Sequence, residues 1–105
     1  MNRQQQIEHF LLAAHKMAVA RLRAEPSKAG AAKDQLARWR RDARLARSEP
    51  MLREWDHLLD SSVEELERAV CSEDEHGALL RSVSPLSILL TQKERAELLR
   101  QSRSA

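Results

Sequence analysis

The chain has 105 residues, of which 42% are hydrophobic and 32% are charged, and its formal net charge is +2. This balance excludes an intrinsically disordered chain, which would contain fewer apolar residues, and the length is typical of one domain, 1–105. Two glycines, one Phe and no Tyr, alongside abundant Ala, Leu, Arg and Glu, favour helices over a sheet. The composition therefore predicts a single all-α domain, with a short frayed tail at about 103–105.

The cysteine content and the hydropathy of the sequence indicate where in the cell the protein is located. Cys71 is the only cysteine, which excludes an internal disulfide and is compatible with a reducing cytoplasm. The first ten residues lack the apolar core of a secretory signal. No apolar run approaches the roughly 20 residues that cross a bilayer, and Ile88-Leu89-Leu90 is only three residues long. We therefore expect a cytoplasmic protein that does not contact a membrane.

The first predicted helix begins after an Asn2 cap and runs to about Ala24, because Glu25 precedes a proline and so avoids the helical region. Its main apolar stripe faces one direction, and Leu12 and Val19 form a second apolar edge on another side. Such an edge is covered either by a further helix of the same chain or by a second chain. The sequence is compatible with both arrangements.

The strongest pattern lies in residues 48–72, where apolar residues fall on one face for roughly five helical turns. We predict a central helix over about 49–71, preceded by a helix over about 31–47 that packs against it as an antiparallel hairpin. Ser62 and Glu65 match the capping box that would begin a new helix. Because the apolar phase is the same on both sides of them, we expect the central helix to continue through this point.

This hairpin is predicted to be the spine of a compact bundle of four to five helices. A short helix at about 74–83 and an apolar turn at 86–90 are expected to close one end. Thr91 and Glu94 then form a capping box that begins the last helix. The apolar turn is of the kind that orders on docking to a partner.

Charge is unevenly distributed along the chain. Residues 1–50 carry eleven Lys and Arg against five Asp and Glu, whereas residues 51–76 carry two against nine. On helical spacing, the basic residues of the second helix form one stripe and the acidic residues of the central helix form another. In an antiparallel hairpin these stripes lie on the same side, so we expect them to pair within the chain. The stripes are Lys33, Arg40, Arg44 and Arg47, and Asp56, Asp60, Glu64 and Glu67.

The alternative is that the arginine-rich stretch binds nucleic acid. Five arginines in residues 38–47 can contact phosphates, and Trp39 can stack on an unpaired base. Against this, Trp39 lies on the apolar seam of its helix, and Asp34 and Asp42 reduce the positive charge. The candidate phosphate-binding residues are Arg38, Arg40, Arg41, Arg44 and Arg47.

The sequence lacks the motifs that carry chemistry. The four histidines are isolated, and no H-x-x-x-H or C-x-x-C spacing would hold a metal. There is no glycine-rich phosphate loop and no G-x-S-x-G motif, and Cys71 is expected at the C-terminal end of a helix, where the dipole raises a thiol pKa. We therefore predict a protein that is not an enzyme, has no cofactor or metal site and has no evident small-molecule substrate.

These features favour a small helical protein–protein interaction module, acting as an adaptor, an antitoxin-like neutraliser or a subunit of an assembly. The partner would be another protein or a second copy of the chain, so a homo-oligomer is expected, and nucleic-acid binding is the alternative function. The candidate interface residues are Leu12, Val19, Leu86, Ile88 and Leu89.

Overall fold

The computed structural model describes residues 2–104, with side chains as far as Arg103. Over this range the chain forms six α-helices and no strand. The helices are α1 (Arg3–Ala24), α2 (Ala29–Arg40), α3 (Glu49–Leu59), α4 (Val63–Val70), α5 (Glu75–Ser82) and α6 (Gln92–Ser104). Short 3-10 helices lie at Pro26–Lys28, Ala43–Ser48 and Pro85–Leu89. The all-α class is confirmed, although the bundle contains six helices rather than the four or five predicted.

α1 begins and ends where the sequence predicts. Asn2 Oδ1 accepts a hydrogen bond from the Gln5 N–H at 2.8 Å, and Gln5 Oε1 accepts one from the Asn2 N–H at 3.0 Å, which completes a capping box. The helix ends at Ala24, just before Glu25-Pro26. Neither α1 nor any other helix in the described part of the chain is long and apolar enough to span a membrane.

The core is built around Trp55 on α3. Its side chain is completely buried, and its indole N–H donates a hydrogen bond to the Leu80 carbonyl oxygen at 2.9 Å, which ties α3 to α5. Buried apolar side chains from α1 to α5 and from the 3-10 helix at Pro85–Leu89 belong to the same cluster. A smaller cluster contains Leu98 of α6 and joins this helix to α1. The apolar face predicted for the central helix therefore does form the core.

The prediction of a continuous central helix is wrong. α3 ends at Leu59, and α4 begins at Val63 after an extended Ser62 with φ −68° and ψ 157°. The Ser62 hydroxyl accepts a hydrogen bond from the Glu65 N–H at 3.1 Å, and this cap offers the chain a local alternative to helical hydrogen bonds. Because Leu59 and Leu66 both enter the main core, the apolar phase is unchanged across the break and does not reveal it.

The second helix is shorter than predicted. α2 ends at Arg40 instead of about Arg47, because Asp42 Oδ1 accepts a hydrogen bond from the Arg44 N–H at 2.9 Å and begins a 3-10 helix. α2 and α3 still pack against each other as the predicted hairpin. Arg44 and Arg47, however, no longer continue the face of α2.

α6 packs against α1 and begins with the predicted capping box. Thr91 Oγ1 accepts a hydrogen bond from the Glu94 N–H at 3.0 Å, and the Glu94 carboxylate accepts one from the Thr91 N–H at 2.8 Å. The same carboxylate accepts two hydrogen bonds from Arg21 of α1, at 2.7 and 2.5 Å. The Arg21 bonds, followed by the Thr91 N–H, lower the pKa of Glu94 to about 2. α6 continues to Ser104, so the tail predicted at about 103–105 falls at the edge of the described range.

Candidate functional site

Three of the five predicted interface residues are part of the chain's own core. Val19 is 0% exposed, Leu86 1% and Leu89 8%. Leu12 is half-buried on α1, and Ile88 is 44% exposed. In this fold the bundle itself therefore covers the second edge of α1 at Val19, and a partner chain can reach only Leu12 and Ile88 of this set.

The predicted pairing of the two charged stripes is found at two positions of the hairpin. Lys33 Nζ lies 2.7 Å from the Asp60 carboxylate, and Arg40 Nη1 lies 3.3 Å from the Asp56 carboxylate. Arg40 also donates to Glu49 at 2.8 Å, and this hydrogen bond is the main reason that the pKa of Arg40 is raised. The hairpin thus neutralises part of its charge internally.

Other members of the stripes pair elsewhere, which corrects the prediction for them. Arg44 contacts Asp42, the residue that caps the 3-10 helix to which Arg44 belongs, at 2.9 Å. Glu67 of α4 contacts Arg23 of α1 at 3.1 Å. Pairing across the hairpin is therefore partial, because the helix ends at Arg40 before the stripe is complete.

The candidate phosphate-binding arginines do not lie on one helix. Arg38 and Arg40 end α2, Arg41 follows it, and Arg44 and Arg47 belong to the next 3-10 helix. Arg40 and Arg44 are engaged by carboxylates, and Arg38 donates a hydrogen bond to a neighbouring side chain of α2. Arg41 and Arg47 are exposed and form no ion pair with any described residue.

An exposed apolar groove lies between α1 and α5. Ile7 is 42% exposed and Leu79 is 52% exposed, and both line one hollow of about 300 Å³ together with Leu11. Glu8 and Glu75 line the same hollow, and neither forms an ion pair with the residues that the structure describes. We call this surface, formed by Ile7, Glu8, Leu11, Glu75 and Leu79, the α1–α5 groove.

Arg81 of α5 also lines this hollow, although only 6% of the residue is exposed. Its Nη1 donates hydrogen bonds to the carbonyl oxygens of Val70 at 2.8 Å and of Ser72 at 2.5 Å, so the guanidinium caps the C-terminal end of α4. Gly77 permits this approach, because a Cβ at this position would lie 2.3 Å from the Ser72 carbonyl oxygen and 3.1 Å from Nη1. Among residues 2–103, no carboxylate pairs with this buried cation.

Arg81 lines a further cavity, of about 180 Å³, together with His15 of α1. His15 Nδ1 lies 2.7 Å from the Leu11 carbonyl oxygen, which can only accept, so Nδ1 carries the ring proton. His15 Nε2 is buried and has no hydrogen-bond partner in the described part of the chain. Burial lowers the pKa of His15, and the positive charge of Arg81 adds to this effect, while the Leu11 hydrogen bond opposes it. The ring is therefore held neutral, with its free nitrogen able to accept.

Cys71 and the acidic side chains are weaker candidates for a functional site than the groove and the cavity. Burial, followed by the charge of Glu67, raises the pKa of the half-buried Cys71 thiol, which leaves it a weak nucleophile at neutral pH. Within the described range, no three His, Cys, Asp or Glu side chains are grouped as a metal site would require.

Comparison with protein-family models, with curated proteins and with solved structures gives no match for this chain.

Sequence reasoning missed the α1–α5 groove, although one signal for it is present. Neighbouring residues on a helix point about 100° apart, so Ala78, Leu79 and Leu80 cannot all face the same core. Leu80 is 0% exposed, and Leu79 is consequently left on the surface. Arg81 carried no such signal, because an arginine is rarely buried and its partners here are carbonyl groups that no sequence pattern marks.

Proposed function

We propose that this protein is a non-enzymatic protein–protein interaction module of the cytoplasm, acting as an adaptor, an antitoxin-like neutraliser or a subunit of an assembly. The observation that carries the proposal is the α1–α5 groove, which combines exposed apolar side chains with unpaired carboxylates. Its partner is an amphipathic helix of another protein that presents apolar anchors flanked by Lys or Arg.

The apolar side chains of the groove supply the affinity. Ile7 and Leu11 are spaced i, i+4 on α1 and so lie on adjacent turns of one face, while Leu79 lines the hollow from α5. A groove between two helices suits an incoming helix, whose own side chains fill it at i, i+3, i+4 and i+7. Burying Ile7 and Leu79 against such a helix contributes about 1 kcal/mol each, since both are half-exposed beforehand.

The acidic rim selects the partner by charge. Glu8 also lines a neighbouring hollow with Glu73 and Leu12, so the acidic surface extends along α1 beside a residue that the sequence already marked as a candidate interface. Glu8, Glu73 and Glu75 form no ion pairs with described side chains. Lysines or arginines flanking the apolar face of a partner helix would pair with them, and like charges would be repelled.

The proposal is tested with two synthetic helical peptides that share the same Leu positions, one carrying Lys and the other Glu at the remaining positions. Binding is measured by fluorescence anisotropy at low and moderate salt, and the contact surface is mapped by ¹H–¹⁵N chemical-shift changes. We expect the Lys peptide to bind at the groove, with an affinity that weakens as salt rises, and the Glu peptide not to bind. Equal binding of the two peptides would contradict the proposal.

Matched variants locate the contact. Ile7→Ser combined with Leu79→Ser should weaken the Lys peptide roughly 30-fold, as expected for the loss of about 2 kcal/mol. Leu99→Ser is the control, because Leu99 is 38% exposed on α6 and does not line the groove. For charge, Glu75→Gln should weaken the peptide, while Glu64→Gln on α4 should leave it unchanged.

A second copy of the chain is the other possible occupant of the groove, as the predicted homo-oligomer requires. Sedimentation equilibrium distinguishes the two cases. A dimer that becomes a folded monomer on Ile7→Ser with Leu79→Ser would assign the groove to self-association, whereas a monomer at all concentrations leaves it to a different protein.

Nucleic-acid binding is kept as a second candidate because Arg41 and Arg47 are exposed without carboxylate partners among the described residues. Its support is narrower than the sequence indicated, since Arg40 and Arg44 are already paired. Anisotropy of labelled duplex and single-stranded oligonucleotides at two salt concentrations tests it. Binding that weakens steeply with salt and is lost in Arg41→Glu with Arg47→Glu would favour this function over the groove.

A further inference from the structure

The cavity that His15 and Arg81 share differs in charge from the α1–α5 groove. Arg81 lines both, but the groove is also lined by Glu8 and Glu75, whereas the cavity is also lined by Arg95 and by no carboxylate. Arg81 is almost completely buried, and its two hydrogen bonds both come from Nη1. The N–H groups on its Nε and Nη2 have no acceptor among the residues described. Arg81 and Arg95 therefore line the cavity with positive charge, and Arg81 has N–H groups that the described residues do not use, which suits an anion.

His15 places a second requirement on any molecule that binds in the cavity. Its Nδ1 donates to the Leu11 carbonyl oxygen, so Nε2 of the neutral ring is an acceptor that needs a donor. No described residue supplies that donor, although a buried polar atom without a partner is unusual in a folded protein. A molecule that satisfies both residues must carry an anionic group and, separately, an O–H or N–H.

The volume of the cavity and its apolar lining restrict further which molecules can bind there. The cavity has a volume of about 180 Å³. For comparison, an apolar cavity of about 150 Å³ in another protein holds benzene. Phe10, Leu86 and Leu90 supply apolar wall. The occupant is therefore a molecule about the size of a single benzene ring, smaller than most cofactors, and part of it is apolar.

We propose that the cavity lined by His15, Arg81 and Arg95 binds a small hydroxycarboxylate, with its carboxylate on the two arginines, its hydroxyl donating to His15 Nε2 and its apolar part against Phe10 and Leu90. Binding is reversible and involves no covalent step. The site adjoins the partner groove, since Leu11, Arg81 and Ser82 line both, but it does not depend on the proposed interaction function.

The test uses the three hydroxybenzoate isomers, with benzoate and phenol as matched compounds that lack the hydroxyl or the carboxylate. Binding is followed by NMR titration of the ¹⁵N-labelled full chain, including the imidazole ¹⁵N signals of His15. We expect one isomer to bind at least about tenfold more tightly than benzoate or phenol, since each lacks one polar contact. That isomer should also shift the His15 Nε2 signal, because this nitrogen acquires a hydrogen bond.

Two variants separate the two contacts. His15→Asn keeps a donor for the Leu11 carbonyl but removes Nε2, so the preferred isomer should fall to the affinity of benzoate. Arg95→Gln should weaken every carboxylate by at least about tenfold and leave phenol unchanged, because a charge-assisted contact is lost. Lys93→Gln removes the same charge from the same helix outside the cavity lining and should have no effect.

The amide spectrum of each variant is recorded before titration, so that a loss of binding caused by misfolding is recognised. If no isomer binds more tightly than benzoate and phenol, or if the His15 Nε2 signal does not respond at saturation, the cavity holds water only. If Lys93→Gln weakens the carboxylates as much as Arg95→Gln does, the effect is general surface charge and the cavity is not the site.

Discussion

The hairpin side of the molecule and the α1–α5 side satisfy their polar groups in different ways. On the hairpin, Lys33 and Arg40 find carboxylates within the chain, at Asp60 and at Glu49 and Asp56. On the α1–α5 side, the glutamates of the groove and the buried guanidinium of Arg81 have no counter-ions among the described residues, although all lie around the same hollow. The hairpin therefore neutralises part of its charge within the chain, whereas the groove glutamates and Arg81 remain available for a partner or a ligand.

We expect the greatest change in stability from a substitution at Gly77 of α5. A Cβ at this position would lie 2.3 Å from the Ser72 carbonyl oxygen, a backbone atom that cannot move without disturbing the Arg81 cap. Gly77→Ala should therefore lower the free energy of unfolding by about 2–3 kcal/mol.

Gly30→Ala on the hairpin side is the matched control, because a Cβ there would meet nothing within 4 Å. This change should raise the free energy of unfolding by up to about 1 kcal/mol, since alanine is the better helix former. Urea unfolding of both variants measures the difference. Equal changes in the free energy of unfolding at the two glycines would show that the two sides of the molecule do not differ in packing there.

A smaller change, an increase in the free energy of unfolding, is expected when His15 is replaced. His15→Leu removes the buried Nε2 that lacks a partner, while the Leu11 carbonyl keeps its helical hydrogen bond, so the free energy of unfolding should rise by about 1 kcal/mol at neutral pH. Because burial lowers the pKa of His15 in the folded state, the unfolded chain binds more protons below its ordinary pKa, and the wild type loses stability as the pH falls through that value.

The gain from His15→Leu should therefore be larger at acidic than at neutral pH, as measured by urea unfolding at both. The variant should also lose the hydroxybenzoate binding proposed above. A variant that is less stable than the wild type at every pH would mean that His15 is a satisfied core residue.

A smaller, acid-dependent effect is expected at the junction of α1 and α6. The pKa of Glu94 is lowered to about 2, mainly by Arg21, so its contribution to stability is present above the ordinary glutamate pKa and is lost as the pH falls towards 2. Thermal unfolding should show a weaker dependence on acidic pH in Glu94→Gln than in the wild type. Glu64→Gln, at an exposed residue of α4, should keep the wild-type dependence.

The smallest effect is expected on the hairpin. Lys33 and Asp60 are 2.7 Å apart, but their side chains are 43% and 64% exposed, so solvent screens the pair. Lys33→Gln should lower the melting temperature by no more than about 2 °C, with less difference still at high salt. A loss comparable to that of Gly77→Ala would show that the hairpin depends on its ion pairs, and the two sides would then differ less than we infer.

Helix starts and ends were predicted well where a single local signal decides them. The capping residues of α1 and α6 were identified from Asn2 and from Thr91 with Glu94, and the proline after Glu25 marked the end of α1. Ser62 carries the same kind of signal, but the unbroken apolar phase predicts a continuous helix. That prediction is wrong, because a break of three residues between helices can leave the phase intact while the cap begins a new helix.

The helical class, most helix ends and the apolar face around Trp55 can be predicted from the sequence, because composition, caps and periodicity act over a few residues. Packing between helices instead places Val19 and Leu86 in the core, buries Arg81 against carbonyl groups and leaves Leu79 exposed. These outcomes depend on which helix covers each face and on how closely α5 approaches α1 and the end of α4. Distances between segments far apart in the chain set them, and no local pattern encodes those distances.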